Sequence, residues 1–155
     1  MTDNIKYTRK TACNILAQEH TAFDRAAESD QAAHGGFRPE PFAGQHRYGV
    51  NELAALDYQL CLRREGWPVK LAGALATRLH TAMLQHPAAD RLALVTLANG
   101  NRFAMPAESV NLSTGYSSGA PVREALVIDV RNLRERIKDM IERAALIVGG
   151  SDDGE

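Results

Sequence analysis

Eight side chains near the start of the chain could do chemistry: Arg9, Lys10, His20, Thr21, Arg25, Arg38, His46 and Arg47. Guanidinium and ammonium groups hold anionic oxygens, and arginine can also place two parallel hydrogen bonds on one planar acceptor edge. That is recognition chemistry rather than bond-making chemistry. No HExxH, GxSxG, CxxC or Rossmann glycine pattern occurs. The five histidines include no pair at i,i+4, and no two carboxylates stand out as an acid–base pair. The expectation is a non-enzyme with no cofactor and no metal.

Two short helical segments must position these groups. Thr8 can cap a helix over residues 9 to about 17, with Ala12, Ile15 and Leu16 inward. "AQEH" interrupts the pattern, and "TAFDRAAES" resumes it with Phe23, Ala26 and Ala27 inward. His20, Thr21, Asp24, Arg25 and Glu28 then face out. The pair reads as a helix-turn-helix or as a plain helical hairpin. Residues 34 to 49, "HGGFRPEPFAGQHRYG", carry four glycines, two prolines and one acid. They read as a basic projecting wing or as a solvated linker.

The next helix starts cleanly. Gly49 can serve as N-cap, Glu52 falls at the capping-box position, and Tyr48 can staple onto Leu53. Leu53, Leu56 and Leu60 form its stripe, and Gly66 ends it in the left-handed region. Pro68 suits the first turn of a helix carrying Leu71, Leu75, Leu79 and Met83. The period then changes from 3.6 to 2. "RLALVTLANGNRFAMP" reads as two strands joined by a type I′ turn at Asn99-Gly100. "STGYSSGAP" is a loop, and "VREALVID" can add a third strand. Asp129 can cap a helix over residues 130 to about 147. Val130, Leu133, Ile137, Met140, Ala144 and Ile147 fall on an a/d seam that can meet a second copy or pack inside its own domain.

A net charge of −1 on 155 residues argues against a general polyanion binder, and residues 1 to 90 balance acids with bases. A 45% hydrophobic share is ordinary for a globular chain. No apolar run approaches a membrane span, and the polar N-terminus lacks a signal-peptide core. A cytoplasmic, nucleoid-associated location follows. Cys13 and Cys61 read as small buried thiols.

The order of segments resembles the MerR family of bacterial transcription regulators. The residues that carry the likeness are "GFRPEPFAGQHRYGVNELAAL" and "LRREGWPVKLAGAL", and it covers about residues 7 to 86. Arg25-Ala26-Ala27-Glu28 departs from the Arg-Tyr-Tyr-like segment common in that family, and the hairpin at 91 to 105 is an addition. The resemblance implies a winged helix-turn-helix domain over 1–88, in a mainly α fold to which the residues themselves add a small antiparallel hairpin or sheet over 89–129. A coiled-coil-like dimerisation helix over 130–148 and a disordered acidic tail over 149–155 complete it. It also implies a homodimeric, sequence-specific regulator of transcription. Thr21 and Arg25 would read base edges of double-stranded DNA, and His20 would be a further DNA contact. Arg9, Lys10, Arg38, His46 and Arg47 would hold phosphates. RNA polymerase or another regulator is a further expected partner. The alternative is a protein–protein adaptor or antirepressor-like module on the same fold, or a small-ligand sensor.

Overall fold

The structure is a computed structural model of the chain, and it describes residues 5–17, 41–42, 45–111, 113–117 and 119–149. Its elements are α1 (Arg9–Ile15), β1 (Pro41–Phe42), β2 (Gln45–His46), α2 (Val50–Arg64) and α3 (Val69–Gln85). They continue with β3 (Arg91–Leu97), β4 (Arg102–Pro106), β5 (Tyr116–Ser117), β6 (Ala120–Asp129) and α4 (Val130–Gly149). The chain divides into two compact units, one of residues 1–77 with 133–155 and one of residues 78–132. Both divisions fall inside helices, α3 and α4.

The first unit is built around α2. Thr8 caps α1, its hydroxyl accepting from Thr11 N–H at 3.4 Å. Ala12, Cys13, Ile15 and Leu16 are buried. Ala17 sits at φ 52°, a left-handed position that ends the helical stretch short of the expected residue 17. In α2, Leu53, Ala54, Ala55 and Leu56 are fully buried, so this helix is covered on nearly all sides. Its C-terminus is a Schellman motif. Trp67 N–H donates to Leu62 C=O at 3.0 Å, Gly66 N–H to Arg63 C=O at 3.1 Å, and Gly66 takes φ +91°.

The phase of α3 differs from the leucine ladder. Ala72, Ala76, Leu79 and Met83 are fully buried, whereas Leu71 is 47% exposed and Leu75 half-buried. Four-residue steps drift about 40° each on a 3.6-residue helix. Leu71 and Met83 therefore cannot share one narrow face, and the alanines supply it.

The second unit is a four-stranded antiparallel sheet in the order β4-β3-β6-β5. On one face, buried Ala93, Val95 and Leu97 pack with Phe103, Met105, Val110, Ala120, Val122 and Ala125. On the other, Leu92, Leu94 and Ile128 are buried. The β3–β4 hairpin forms, but the expected type I′ turn is corrected. Only Gly100 of the two turn residues has positive φ, +87°, and Gly100 N–H donates to Leu97 C=O at 2.9 Å. That is a type I turn closed by a left-handed glycine, which needs one glycine rather than two positive-φ residues. Asp129 caps α4, accepting from Asn132 N–H at 2.9 Å.

The expected mainly α winged helix-turn-helix fold is therefore corrected to a mixed α+β chain. The sheet has its own core on one face, and Leu92, Leu94 and Ile128 are buried on the other, so it is more than a hairpin appended to helices. A winged helix is not evident among the described residues: the strands at the expected wing are two residues long, pairing Pro41 with His46 and Phe42 with Gln45. The second helix of the expected pair and the tail at 150–155 lie outside the described residues.

Candidate nucleic-acid interface

An antiparallel bridge joins the start of the chain to the residue before α2. Tyr7 N–H donates to Tyr48 C=O at 2.8 Å, and Tyr48 N–H donates to Tyr7 C=O at 2.9 Å. Tyr48 is buried to 1% exposure, so the bridge is anchored in the core of the first unit. Antiparallel pairing sets Thr8 across from Arg47. The first turn of α1, with exposed Arg9 and Lys10, thus begins beside half-buried Arg47.

The same junction is tied at its base. Lys6 Nζ pairs with Glu52 Oε1, and Gly49 N–H donates to that oxygen at 3.1 Å, the expected capping box. A Cβ on Gly49 would stand 3.0 Å from Lys6 Cδ and Nζ, so any larger residue there must push the lysine aside by a few tenths of an ångström. Lys6 is thereby paired with a carboxylate.

His20, Thr21, Arg25 and Arg38 lie outside the described residues, as does the side chain of His46, whose backbone ends β2. Of the eight expected contacts, Arg9, Lys10 and Arg47 lie within three residues of the Tyr7–Tyr48 bridge along the chain.

The a/d residues of α4 divide. Ile137 in the first unit and Val130 in the second are fully buried within this chain. Leu133, Met140 and Ala144 are half-buried, and the side chain of Ile147 lies outside the described residues. Two arginines flank Ile137. Arg134 Nε donates to Asn51 Oδ1 at 3.1 Å, and Arg136 Nε lies 3.3 Å from Asp57 Oδ2. The centre of the seam is occupied by intramolecular packing on α2.

Sequence reasoning missed Asp57, which is 2% exposed. Burial pushes its carboxyl above the ordinary carboxylate range, against the opposing pull of Arg136 and Arg64. The Oδ2 atom makes no hydrogen bond, so Arg136 meets it as an ion pair. The available signal was position: Asp57 follows Leu53 by one helical turn and sits inside the stripe of Leu53, Leu56 and Leu60. A charge there requires a partner. Cys61 lies beside this pair, and burial together with Asp57 pushes its thiol up, away from nucleophilic use.

Among the described residues no group of three or more His, Cys, Asp or Glu could hold a metal ion, and no helix is long and apolar enough to cross a membrane. No protein-family model matches the chain, and no curated protein matches it.

Proposed function

We propose that the chain binds double-stranded DNA and regulates transcription as a homodimer, at the nucleoid of a bacterial cytoplasm. The observation that carries this reading is the Tyr7–Tyr48 bridge, which sets Thr8, the residue before Arg9 and Lys10, across from Arg47. Three cations on a core-anchored backbone suit phosphate oxygens spaced along a duplex. The segment order that resembles MerR regulators supports the same activity at the level of sequence. Base selection falls to Thr21 and Arg25, with His20 as a further DNA contact, and additional phosphate contacts fall to Arg38 and His46. The overall charge of −1 makes the contact local, so binding depends on these groups rather than on bulk attraction.

Titration of a labelled duplex at low salt tests the reading. Saturable binding that weakens steeply with salt supports it, and no binding rejects it. A protein–protein adaptor rests on another observation: Trp67 and Leu71, at the α2–α3 turn, are 39% and 47% exposed. An adaptor would leave the duplex untouched in the same titration.

A further inference from the structure

The outer edge of β6 lacks a strand partner past Val122 among the described residues. β5 covers only its beginning, pairing Ser117 with Ala120 and Tyr116 with Pro121, and Val122 N–H donates to Gly115 C=O at 2.7 Å. The direction of the backbone groups beyond this point follows from the opposite side of the sheet. Leu97 N–H donates to Asn101 C=O at 2.8 Å, and Leu97 C=O accepts from Gly100 N–H at 2.9 Å. Leu97 therefore turns its polar groups toward β4. These groups alternate along an antiparallel strand. Leu92, Leu94 and Thr96 thus face β6, and their register partners Ile128, Leu126 and Glu124 bond back to β3. Ala125 and Val127 are left with N–H and C=O pointing outward.

The side chains beside that edge are apolar on both faces of the sheet. Leu126 is 38% exposed and Val127 46%. An edge of this kind is a template for another strand.

We propose that a second copy of this chain fills it, β6 pairing antiparallel with β6 across a two-fold axis through Leu126. Such an axis stands perpendicular to the sheet, so each residue meets one on its own face, and the possible registers centre on single residues. Centring on Glu124 opposes two like charges. Centring on Ala125 sets Arg123 against Val127, and centring on Val127 sets Asp129 against Ala125. Centring on Leu126 sets Ala125 opposite Val127, so the two outward-facing residues exchange hydrogen bonds on both sides of the axis. The same register sets Arg123 across from Asp129 twice, once at each end. Arg123, the extra residue where β6 slips past Thr96 and Leu97, pairs with neighbouring Glu124 at 3.4 Å and keeps its side chain 55% exposed, so an exposed pair is all it exchanges for Asp129. Charge and hydrogen-bond direction select one register, and self-complementarity selects a copy of this chain as the occupant. The pairing does not depend on DNA binding, and it supplies the two-fold symmetry that the seam of α4, closed at Ile137, does not.

Sedimentation of the full chain without DNA tests it. The wild type is expected to dimerise at micromolar concentration. Val127→Pro removes an outward N–H and no bond to β3, and is expected to leave monomers with an unchanged circular dichroism spectrum. Arg123→Glu alone and Asp129→Lys alone each create two like-charge pairs. Each is expected to weaken the dimer about tenfold, the scale of two cross-strand pairs reversed in sign. Mixed together they restore opposite charges at both ends, and a heterodimer is expected to recover the lost affinity. A monomeric wild type overturns the proposal. So does a dimer indifferent to Val127→Pro, or a mixture no tighter than its parts.

Discussion

Arg136 Nε lies 3.3 Å from Asp57 Oδ2, and this pair fastens α4 to α2 beside fully buried Ile137. The carboxylate is almost wholly enclosed while 46% of the arginine side chain meets solvent. The pair is thus asymmetric: water can replace the arginine's partner more easily than the aspartate's. Arg136→Met is expected to cost about 1–3 kcal/mol, reduced from the fully buried case by the exposure of the arginine. Asp57→Leu in the same background should recover most of that loss, because no buried charge then lacks its counter-ion. Urea unfolding of the single and double variants measures the coupling.

The raised Asp57 carboxyl gives stability a pH dependence with a definite sign. The folded state holds the proton more tightly than the unfolded chain, whose aspartate titrates at the ordinary 3.8. The contribution of this group is therefore fully present below that value and is lost as pH rises through the raised folded value. Relative to Asp57→Asn, the wild type should lose stability on going from acid to neutral pH. Parallel urea midpoints would contradict this assignment.

Glu52 anchors the junction that presents the cations. It is 4% exposed, accepts from Gly49 N–H and pairs with Lys6. Glu52→Ala is expected to cost about 1–2 kcal/mol, the range for a lost cap that also held a charge. Gly49→Ala drives a methyl against Lys6 and should disturb the same pair. Thermal unfolding checks both. If both changes are silent, Lys6 and Gly49 have no part in fixing the junction.

The phase of α3 separates two leucines that look equivalent in sequence. Leu79→Ala is expected to cost about 2–5 kcal/mol and Leu71→Ala less than about 0.5 kcal/mol. Equal costs by chemical denaturation would mean the helix is rotated from the orientation described.

Local chemistry was legible in the sequence. Thr8, the Gly49–Glu52 box, Gly66 and Asp129 all act within four residues of what they cap, so composition alone locates them. The strands of the second unit were legible from their period. Their organisation was not, because β6 meets β3 across the whole β4 region, and only that pairing turns a hairpin into a sheet with its own core. The heptad steps of α4 mark an apolar seam, but a seam does not say which surface it meets. Asp57 and Asn51, far earlier in the chain, settle that for its central turn. The leucine ladder of α3 misled because alanine, small and common, carries the buried face.

The central claim is that Arg9, Lys10 and Arg47 meet DNA phosphates. The measurement is the salt dependence of duplex affinity for the wild type and for the triple alanine variant, read by fluorescence anisotropy. Each phosphate neutralised adds about −0.9 to the slope of log affinity against log salt. The account predicts a steep negative slope for the wild type, made shallower by about 3 in the variant, with folding unchanged. A wild type that binds no duplex at low salt, or a variant with the same slope, would contradict it.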